Sequence, residues 1–530
     1  MTKNKFALIL IIIIAFSLRF PGLGSSLHSL DWDENSNAYN AYSILKTGRD
    51  EYGNLFPLAN RSFEDYKPPL YMYLNVPTVA IFGLTPLAAR LPSAVFGFLT
   101  IPVIYYLSKK LLESQKIVNG ENFALLSAFL LAISPWHIQF SRAGFEATIG
   151  LFFAFAAVAS VFYSFKKPLA LILSAILFAI SMYSYHSTRI YLPLLVILQI
   201  ILYRKEVKSI PKKIVLSSVL VAILLIAPLF VFNPPQALTQ RFKTLTETLR
   251  VEEAQKAIDF MEQDKQDGIP FSNIIHNRRL FTAQNIIDFY LWHFDLNFLF
   301  LKGDDNFRHH IENMGMLYLW QLPFVVYGTY IAVAKRSKGT IFILASLLLV
   351  PISASASHPS PHALRSLGMV VPLVQVTALA ILHILTSKKR FKTPLLITFT
   401  LVILWSAISY LHSFFVHYPL EKASFWQYGY AQAAIITDSL KNDYEKVRVD
   451  GRIEQAYIFW LFTNKYDPSL FQKSGSRYGF DKFIFDSGAP QERNELYVTV
   501  PENFPPDFTT ISTIYYPDGR EALKIGHPGK

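Results

Sequence analysis

The chain contains no cysteine. Disulfides, thiolate catalysis and cysteine-ligated metal are therefore excluded. Charge is also scarce. Charged residues make up 17% of 530, against about 25% in soluble domains. Hydrophobic residues reach 52% and aromatics 15%, the composition of a polytopic membrane protein. There is no long-period repeat and no low-complexity tract. The net charge of +12 does not point to nucleic acid. The basic residues sit in short clusters between apolar runs, which is a topology signal.

A spanning helix needs about 20 mostly apolar residues. About eleven segments qualify: Phe6–Phe20, Leu91–Leu107, Phe123–Ile138, Ala147–Phe165, Leu169–Tyr183, Ile190–Tyr203, Ile214–Phe232, Met314–Val333, Ile341–Ala354, Leu367–Leu385 and Pro394–Phe415. No small-x-small cleavage site follows the first run, so it reads as an uncleaved helix and not a signal peptide. With this count, Lys3 and Lys5, Lys109-Lys110, Lys166-Lys167, Arg204-Lys205, Lys335-Arg336 and Lys388-Lys389-Arg390 all fall on one side. The positive-inside rule makes that side cytoplasmic. The N-terminus is then cytoplasmic and the tail extracytoplasmic. The expected fold is mainly α: a polytopic membrane bundle at 1–416 and a soluble extracytoplasmic α/β domain at 417–530.

Two outer loops are long, 21–90 and 233–312. In the second, Thr239–Gln266 is charged and reads as a helix, and Ile286–Leu301 is expected in the interface or dipping into the bilayer. In the tail, Phe425–Leu440 and Ile453–Phe462 read as helices. Lys446–Val449, Lys482–Asp486 and Glu495–Val500 read as strands. Tyr516-Pro517-Asp518-Gly519 marks a hairpin over Thr510–Ile525.

The chain is organised around Leu30-Asp31-Trp32-Asp33-Glu34-Asn35, directly after the first apolar run. Carboxylates placed beside a membrane helix are costly and mark function. A short helix is expected next, with Asp33 as N-cap, an apolar stripe of Ala38, Ala41, Tyr42 and Leu45, and Gly48 as its stop. A second polar cluster follows at Glu64-Asp65-Tyr66-Lys67-Pro68-Pro69. Other outer loops bring His137, Arg142 and Glu146, then His186 and Arg189, then His358, His362 and Arg365. No cytoplasmic loop carries a comparable mix of acid, imidazole and guanidinium.

That mix suits transfer of a group away from phosphate. A carboxylate takes the proton of an attacking hydroxyl. Arginine and lysine hold the departing phosphate. Outside the cell a lipid-linked sugar phosphate is the available donor. Each residue also has a plainer reading. Asp33 and Glu34 could merely cap a helix, and Lys67 could anchor at the interface. Arg142 and Glu146 could form an i,i+4 ion pair. His186 and Arg189 could snorkel at the boundary, His358, His362 and Arg365 could be ordinary loop residues, and His137 beside Trp136 reads as interfacial packing. The residues specify no cofactor. A divalent metal between carboxylate and histidine stays open, although no close-spaced motif supports zinc.

Several stretches carry a resemblance: Asp33-Glu34 with Ala38-Tyr39 and Ala41, and Thr47-Gly48-Arg49-Asp50-Glu51-Tyr52-Gly53. To these are added Asp65-Tyr66-Lys67-Pro68-Pro69-Leu70-Tyr71, Arg90-Leu91-Pro92-Ser93, Ser134-Pro135-Trp136-His137 and Tyr185-His186-Ser187-Thr188-Arg189. The chain resembles the GT-C superfamily of membrane glycosyltransferases, nearest to relatives of the protein O-mannosyltransferases and lipid A aminoarabinose transferases. The likeness is dense over 28–195 and thins to Pro361-His362-Ala363-Leu364-Arg365. It implies a hexosyl- or pentosyltransferase in the cell membrane, using a polyprenyl-phosphate sugar donor on the extracytoplasmic face with inversion. It implies Asp33 as general base, Glu34 as its neighbour in the motif and Asp65 as a second acid near the acceptor. Lys67 would contact the donor phosphate, with Arg142, His186, Arg189, His362 and Arg365 as further donor-binding candidates. The acceptor, whether protein, lipid or envelope glycan, is not specified. A transporter or flippase of lipid-linked sugars is the alternative. It would need polar groups deep in the spans and an internal repeat, and neither is seen.

Overall fold

The computed structural model describes residues 2–27, 29–63, 65–113, 117–233, 255–387, 392–488, 490, 492 and 494–529. The N-terminal elements are α1 (Lys3–Arg19), α2 (Trp32–Thr47), the ribbon of β1 (Asn60–Ser62) and β2 (Asp65–Lys67), α3 (Leu70–Phe82), α4 (Pro86–Leu112), α5 (Gly120–Ala132), α6 (Pro135–Arg142) and α7 (Glu146–Ser164). Further helices follow, and the chain ends in a six-stranded sheet. Among the described residues five helices are long and apolar enough to cross a membrane, or six if the bent pair α5–α6 is one span. The helix Lys212–Val231 leaves Leu216, Leu220, Ile223, Leu224 and Phe230 exposed. An apolar face of that length is a lipid-facing face. The protein is a mainly helical, multi-span membrane protein with a C-terminal mixed sheet, as expected.

The chain divides into two compact units. One is Met1–Arg19, Phe96–Ser141 and Glu146–Ala407; the other is Phe20–Val95, Arg142–Phe145 and Ile408–Lys530.

In the first unit the expected span Phe123–Ile138 is broken. α5 stops at Ala132 and α6 restarts at Pro135, with a bend of 54°. Residues read as an outer loop from Trp136 are therefore helical as far as Arg142. Pro135 explains the break: it has no N–H to continue α5 but suits a first helical turn. The carbonyls stranded at the break find partners. Arg19, fully buried, donates to Leu131 O and Ala132 O at 3.3 and 2.9 Å, and the Tyr318 hydroxyl donates to Ile133 O at 2.9 Å. Arg19 also meets His137 Nδ1 at 2.8 Å, so His137 is a buried partner of arginine and not an interfacial residue. Trp136 is buried too, its indole N–H donating to Ala363 O at 3.2 Å.

The expected span from Met314 begins later. Met316 and Leu317 donate backbone N–H groups to Phe298 O and Leu299 O, and the helix Leu322–Lys335 starts with a proline in its first turn. That helix packs tightly on Val370–Ser387. A Cβ on Gly328 would lie 1.9 Å from Val376 O, so only glycine allows the approach. Ile286–Leu301 is the end of helix Arg278–Trp292 plus a π-turn, Asn297–Leu301, that buries Phe298, Leu299 and Phe300. Of the expected helix 239–266, residues 255–266 are helical. Residues 234–254, Glu64 and Lys388-Lys389-Arg390 lie outside the described residues.

In the second unit, α2 is capped by Asp31 and not by Asp33. Asp31 Oδ1 accepts from Glu34 N at 2.8 Å while Glu34 Oε2 accepts from Asp31 N at 3.1 Å, a reciprocal capping box. The earlier acid wins because its partner three residues on is a glutamate. Gly48 ends the helix at φ 71°, as expected. The apolar stripe is only half right: Ala38 and Ala41 are buried, but Leu45 is exposed. The helix is enclosed by polar partners on several sides. Asn40 bonds Glu51, Asn37 bonds Asn60, and Ser36 meets Ser62.

The C-terminal sheet has the order β4-β5-β3-β6-β8-β7, with β3 (Lys446–Asp450), β4 (Gly479–Phe480), β5 (Phe483–Asp486), β6 (Glu495–Thr499), β7 (Phe508–Tyr515) and β8 (Glu521–Pro528). β5 and β6 both run parallel to β3; the other pairs are antiparallel. β3, β5, β6 and the β7–β8 hairpin lie at the expected strand segments and turn. Helix Ala456–Thr463 and the sheet share one apolar core with Ala38, Tyr39, Ala41, Phe63 and Ala88 of the first loop. Gln472 ties the two further, donating to Ser43, Thr47 and Asp50 O at 2.9–3.0 Å.

Candidate active site

The second unit carries the acidic stretch. Glu34 and Arg90 are both 0% exposed and form a two-pronged ion pair, Nε to Oε1 at 2.8 Å and Nη2 to Oε2 at 3.0 Å. Glu34 Oε1 also accepts from Gly144 N at 2.7 Å, and Oε2 from Asp31 N. Each oxygen thus takes two donors. Arg90 spends its remaining hydrogens on Ser29 O and Leu27 O, and its guanidinium lies 5.6 Å from the Trp426 ring centre. Residue 144 must be glycine here, since a Cβ would fall 2.8 Å from Glu34 Cγ. α4 can present Arg90 because its interior Pro92 is compensated. The Ala88 carbonyl that Pro92 cannot bond is taken by the Thr78 hydroxyl at 2.8 Å.

Asp33, the next residue, faces elsewhere. Its Oδ1 accepts from Lys67 Nζ in a short contact. The Asp33 side chain is 31% exposed and that of Lys67 10%, so the pair is reachable. Asp33 lies in the first turn of α2, where the helix dipole favours the carboxylate. Lys67 ends β2, paired to Asn60 across the ribbon. Asp65 is two residues earlier on β2 and so on the same face; its Oδ1 accepts from Tyr66 N. The structure thus pairs Asp33 with Lys67 next to the buried Glu34, and sets Asp65 on the same strand face as Lys67.

The other candidates are used differently. Arg142 is 1% exposed, donates to Pro21 O and Ser26 Oγ at 2.8 Å, and stacks 4.7 Å from the Phe415 ring centre. In the first unit, Arg189 donates to Met182 O at 2.9 Å and lies 3.4 Å from His186 Nδ1. Arg365 donates to Ser357 Oγ and to the carbonyls of His358 and Pro359. These guanidiniums brace backbone.

His362 belongs to a group that spacing alone did not show. Asp304, His309 and His362 offer ligand atoms all within 4.8 Å of one another. Asp304 Oδ2 accepts from His309 Nδ1 at 2.6 Å and from Ala363 N at 2.8 Å. Burial pushes the His309 imidazole below its usual range, although Asp304 pulls it up. His310 is not part of this set, because it turns both ring nitrogens onto the carbonyls of Asp304 and Ile311. Gly303 at φ 79° makes room for that ring. The sequence signal was Gly303-Asp304 with His309-His310, but its partner His362 is more than fifty positions on.

This helical bundle with a C-terminal mixed sheet has the fold of the GT-C membrane glycosyltransferases. Residues 66–232 match the family model described as dolichyl-phosphate-mannose-protein mannosyltransferase. ArnT from Cupriavidus metallidurans, solved bound to undecaprenyl phosphate, superposes with a TM-score of 0.55 at 11% identity, covering 99% of this chain and 98% of that one. The Archaeoglobus fulgidus oligosaccharyltransferase, in complex with Zn and sulfate, gives 0.53 at 12% identity over 86% of this chain. This chain spans 61% of that protein's length. An uncharacterized protein of Aquifex aeolicus (strain VF5) is 33% identical over 138 residues, which is 26% of this chain and 30% of the relative. The resemblance drawn from the acidic pair and the Lys67-Pro68-Pro69 segment therefore holds for the fold and for the matched segment.

Two outcomes follow from the geometry. Replacing Glu34 by Gln leaves Arg90 buried without its counter-charge, which costs about 3–5 kcal/mol. The thermal midpoint in detergent should fall steeply, and Glu34→Gln with Arg90→Met should recover part of the loss. Glu51, buried against Asn40, is pushed up by that burial from 4.5 to about 7. Folding therefore retains a proton between those values that the unfolded chain releases. Its contribution to stability is full below the window and is lost as pH rises through about 7. Thermal unfolding in nanodiscs from pH 5 to 8 should show this slope in the wild type and a flatter profile in Glu51→Gln.

Proposed function

We propose that the protein transfers a sugar from a polyprenyl-phosphate donor to an acceptor hydroxyl on the extracytoplasmic face of the membrane. The observation that carries this reading is the partly exposed Asp33–Lys67 pair beside a fully satisfied Glu34–Arg90 anchor. Asp33 accepts the proton of the incoming hydroxyl. The acceptor oxygen bonds to the anomeric carbon as the bond from that carbon to the phosphate oxygen breaks. The electron pair leaves with polyprenyl phosphate, and Lys67 shifts from Asp33 to that growing charge. A single displacement of this kind inverts the anomeric centre. Glu34 positions; with both oxygens taken, it has no lone pair directed at substrate. Asp65, on the face shared with Lys67, stands on the acceptor side. The undecaprenyl phosphate in the ArnT structure and the family-model match over 66–232 support the donor class.

A divalent metal fits the same reading. Asp304, His309 and His362 would hold it, one carboxylate and two imidazoles being a zinc-type donor set. When bound, the ion would fix the loops that carry these ligands.

The direct test supplies a radiolabelled polyprenyl-phosphate sugar to membranes. Wild type should transfer label. Asp33→Asn should lose at least a hundred-fold of the rate, about the least expected of a general base, with an unchanged thermal midpoint. Lys67→Met should chiefly raise the donor KM. Equal transfer by wild type and Asp33→Asn would remove Asp33 from the reaction. For the metal, elemental analysis after zinc loading should find one equivalent in wild type and none in His309→Ala with His362→Ala; equal content in both would dismiss the site.

A further inference from the structure

The reaction above leaves unused a cleft of about 500 Å³ in the second unit. It opens at the carboxyl ends of the parallel strands β3 and β5, where the chain runs through Gly451–Gln455 into helix Ala456–Thr463. Crevices outside the carboxyl ends of parallel strands are where open sheets of this kind bind ligands, and the volume lies within the roughly 300–1,000 Å³ of small-ligand pockets. The walls are Trp32, Phe63, Tyr457 and Tyr478, with Arg477 and Glu454 among them.

Three features narrow the occupant. The rings are fixed. Tyr457 packs edge-on to Phe63 at 6.0 Å and stacks on Phe471 at 6.4 Å, while Tyr478, 61% exposed, forms the lip with the Arg477 guanidinium 4.6 Å from its ring centre. The charged lining groups are one cation, Arg477, and one anion, Glu454, so the lining favours no net charge on the ligand. Two non-glycine residues of the lining, Phe63 and Gln455, hold φ at 61° and 54°, and strain of that kind gathers at ligand clamps. Aromatic faces set among hydrogen-bonding groups of both kinds suit an uncharged polyhydroxylated ring. Its C–H face lies on the aromatics and its hydroxyls bond Glu454, Gln455 and Arg477.

The cleft also borders the Asp33–Lys67 pair. Trp32 immediately precedes Asp33, and Lys67 Nζ lies 5.9 Å from the centre of the Phe63 ring. We propose that this cleft is the acceptor site and that the acceptor is a saccharide, whose reacting hydroxyl reaches Asp33 past Trp32 and Phe63. The role as acceptor site rests on the transferase reading; the binding of saccharide does not.

The test uses the full chain in nanodiscs and saturation-transfer NMR. The probes are methyl α-D-mannopyranoside, methyl β-D-glucopyranoside and a capped threonine tripeptide. At least one glycoside should bind wild type and Asp33→Asn alike. Arg477→Ala with Tyr478→Ala, both at the rim, should weaken that binding at least ten-fold while leaving the thermal midpoint within a few degrees. The same double variant should raise the acceptor KM at saturating donor without changing the donor KM. No glycoside signal in wild type, equal signal in the rim variant, or binding of the tripeptide alone would overturn the assignment. Transfer that survives in Asp33→Asn would instead count against the catalytic reading and leave the binding result intact.

Discussion

The second unit depends on one buried ion pair, Glu34 with Arg90. Removing two charges from water costs several kcal/mol for each ion, and attraction alone seldom offsets it. Here the geometry is complete: Glu34 takes four donors, and Arg90 is shared among Glu34, the carbonyls of the preceding loop and the Trp426 face. The arrangement admits few alternatives. It fixes the first turn of α2 against α4 and against Gly144, and so fixes where Asp33 points. A reactive group that must meet its substrate within a few tenths of an ångström needs such a base, because a partly exposed carboxylate beside a lysine would otherwise sample many rotamers.

The same unit shows why the acidic loop and the tail are one structural problem. α2 is largely polar, and as an isolated helix it would have little to bury. Its stability comes from enclosure. Ala38, Tyr39 and Ala41 enter the core of the C-terminal sheet, Gln472 reaches across to Ser43 and Thr47, and Asn40 holds Glu51. The tail thereby contributes to holding the loop that carries Asp33. In the proposed reaction this arrangement also sets an aromatic cleft beside the base.

Much of this was legible in the residues. Apolar runs gave the multi-span helical class because lipid demands about 20 such residues in a row, although among the described residues five helices, or six with the bent pair, reach that length against about eleven expected. Short strand-forming runs gave β3, β5 and β6, and the turn signal Tyr516-Pro517-Asp518-Gly519 gave the β7–β8 hairpin. Asp33, Asp65 and Lys67 stood out because charge beside a membrane helix is expensive. The misreadings have physical causes. The helix break at Ser134 was hidden because Trp136 and Ile138 carry the apolar run of α5 past it, and the partners of the freed carbonyls, Arg19 and Tyr318, are distant in sequence. Asp31 was passed over as the cap because Asp33 and Asn35 are equally good cap formers in isolation; only the Glu34 side chain decides. The Asp304–His309–His362 group joins loops that the chain separates, so spacing could not reveal it. Arg142 and Arg365 were candidates because guanidinium serves phosphate and backbone alike, and the sequence could not show their present partners, backbone carbonyls and a serine each.

The account stands on Lys67 being the group that passes from Asp33 to the lipid phosphate. Its most direct test is a cryo-EM structure of the protein in nanodiscs with polyprenyl phosphate bound. The account predicts the phosphate within hydrogen-bond distance of Lys67 Nζ, with Asp33 released and Glu34 still clasped by Arg90. A phosphate seated elsewhere, with Lys67 still on Asp33, would contradict it.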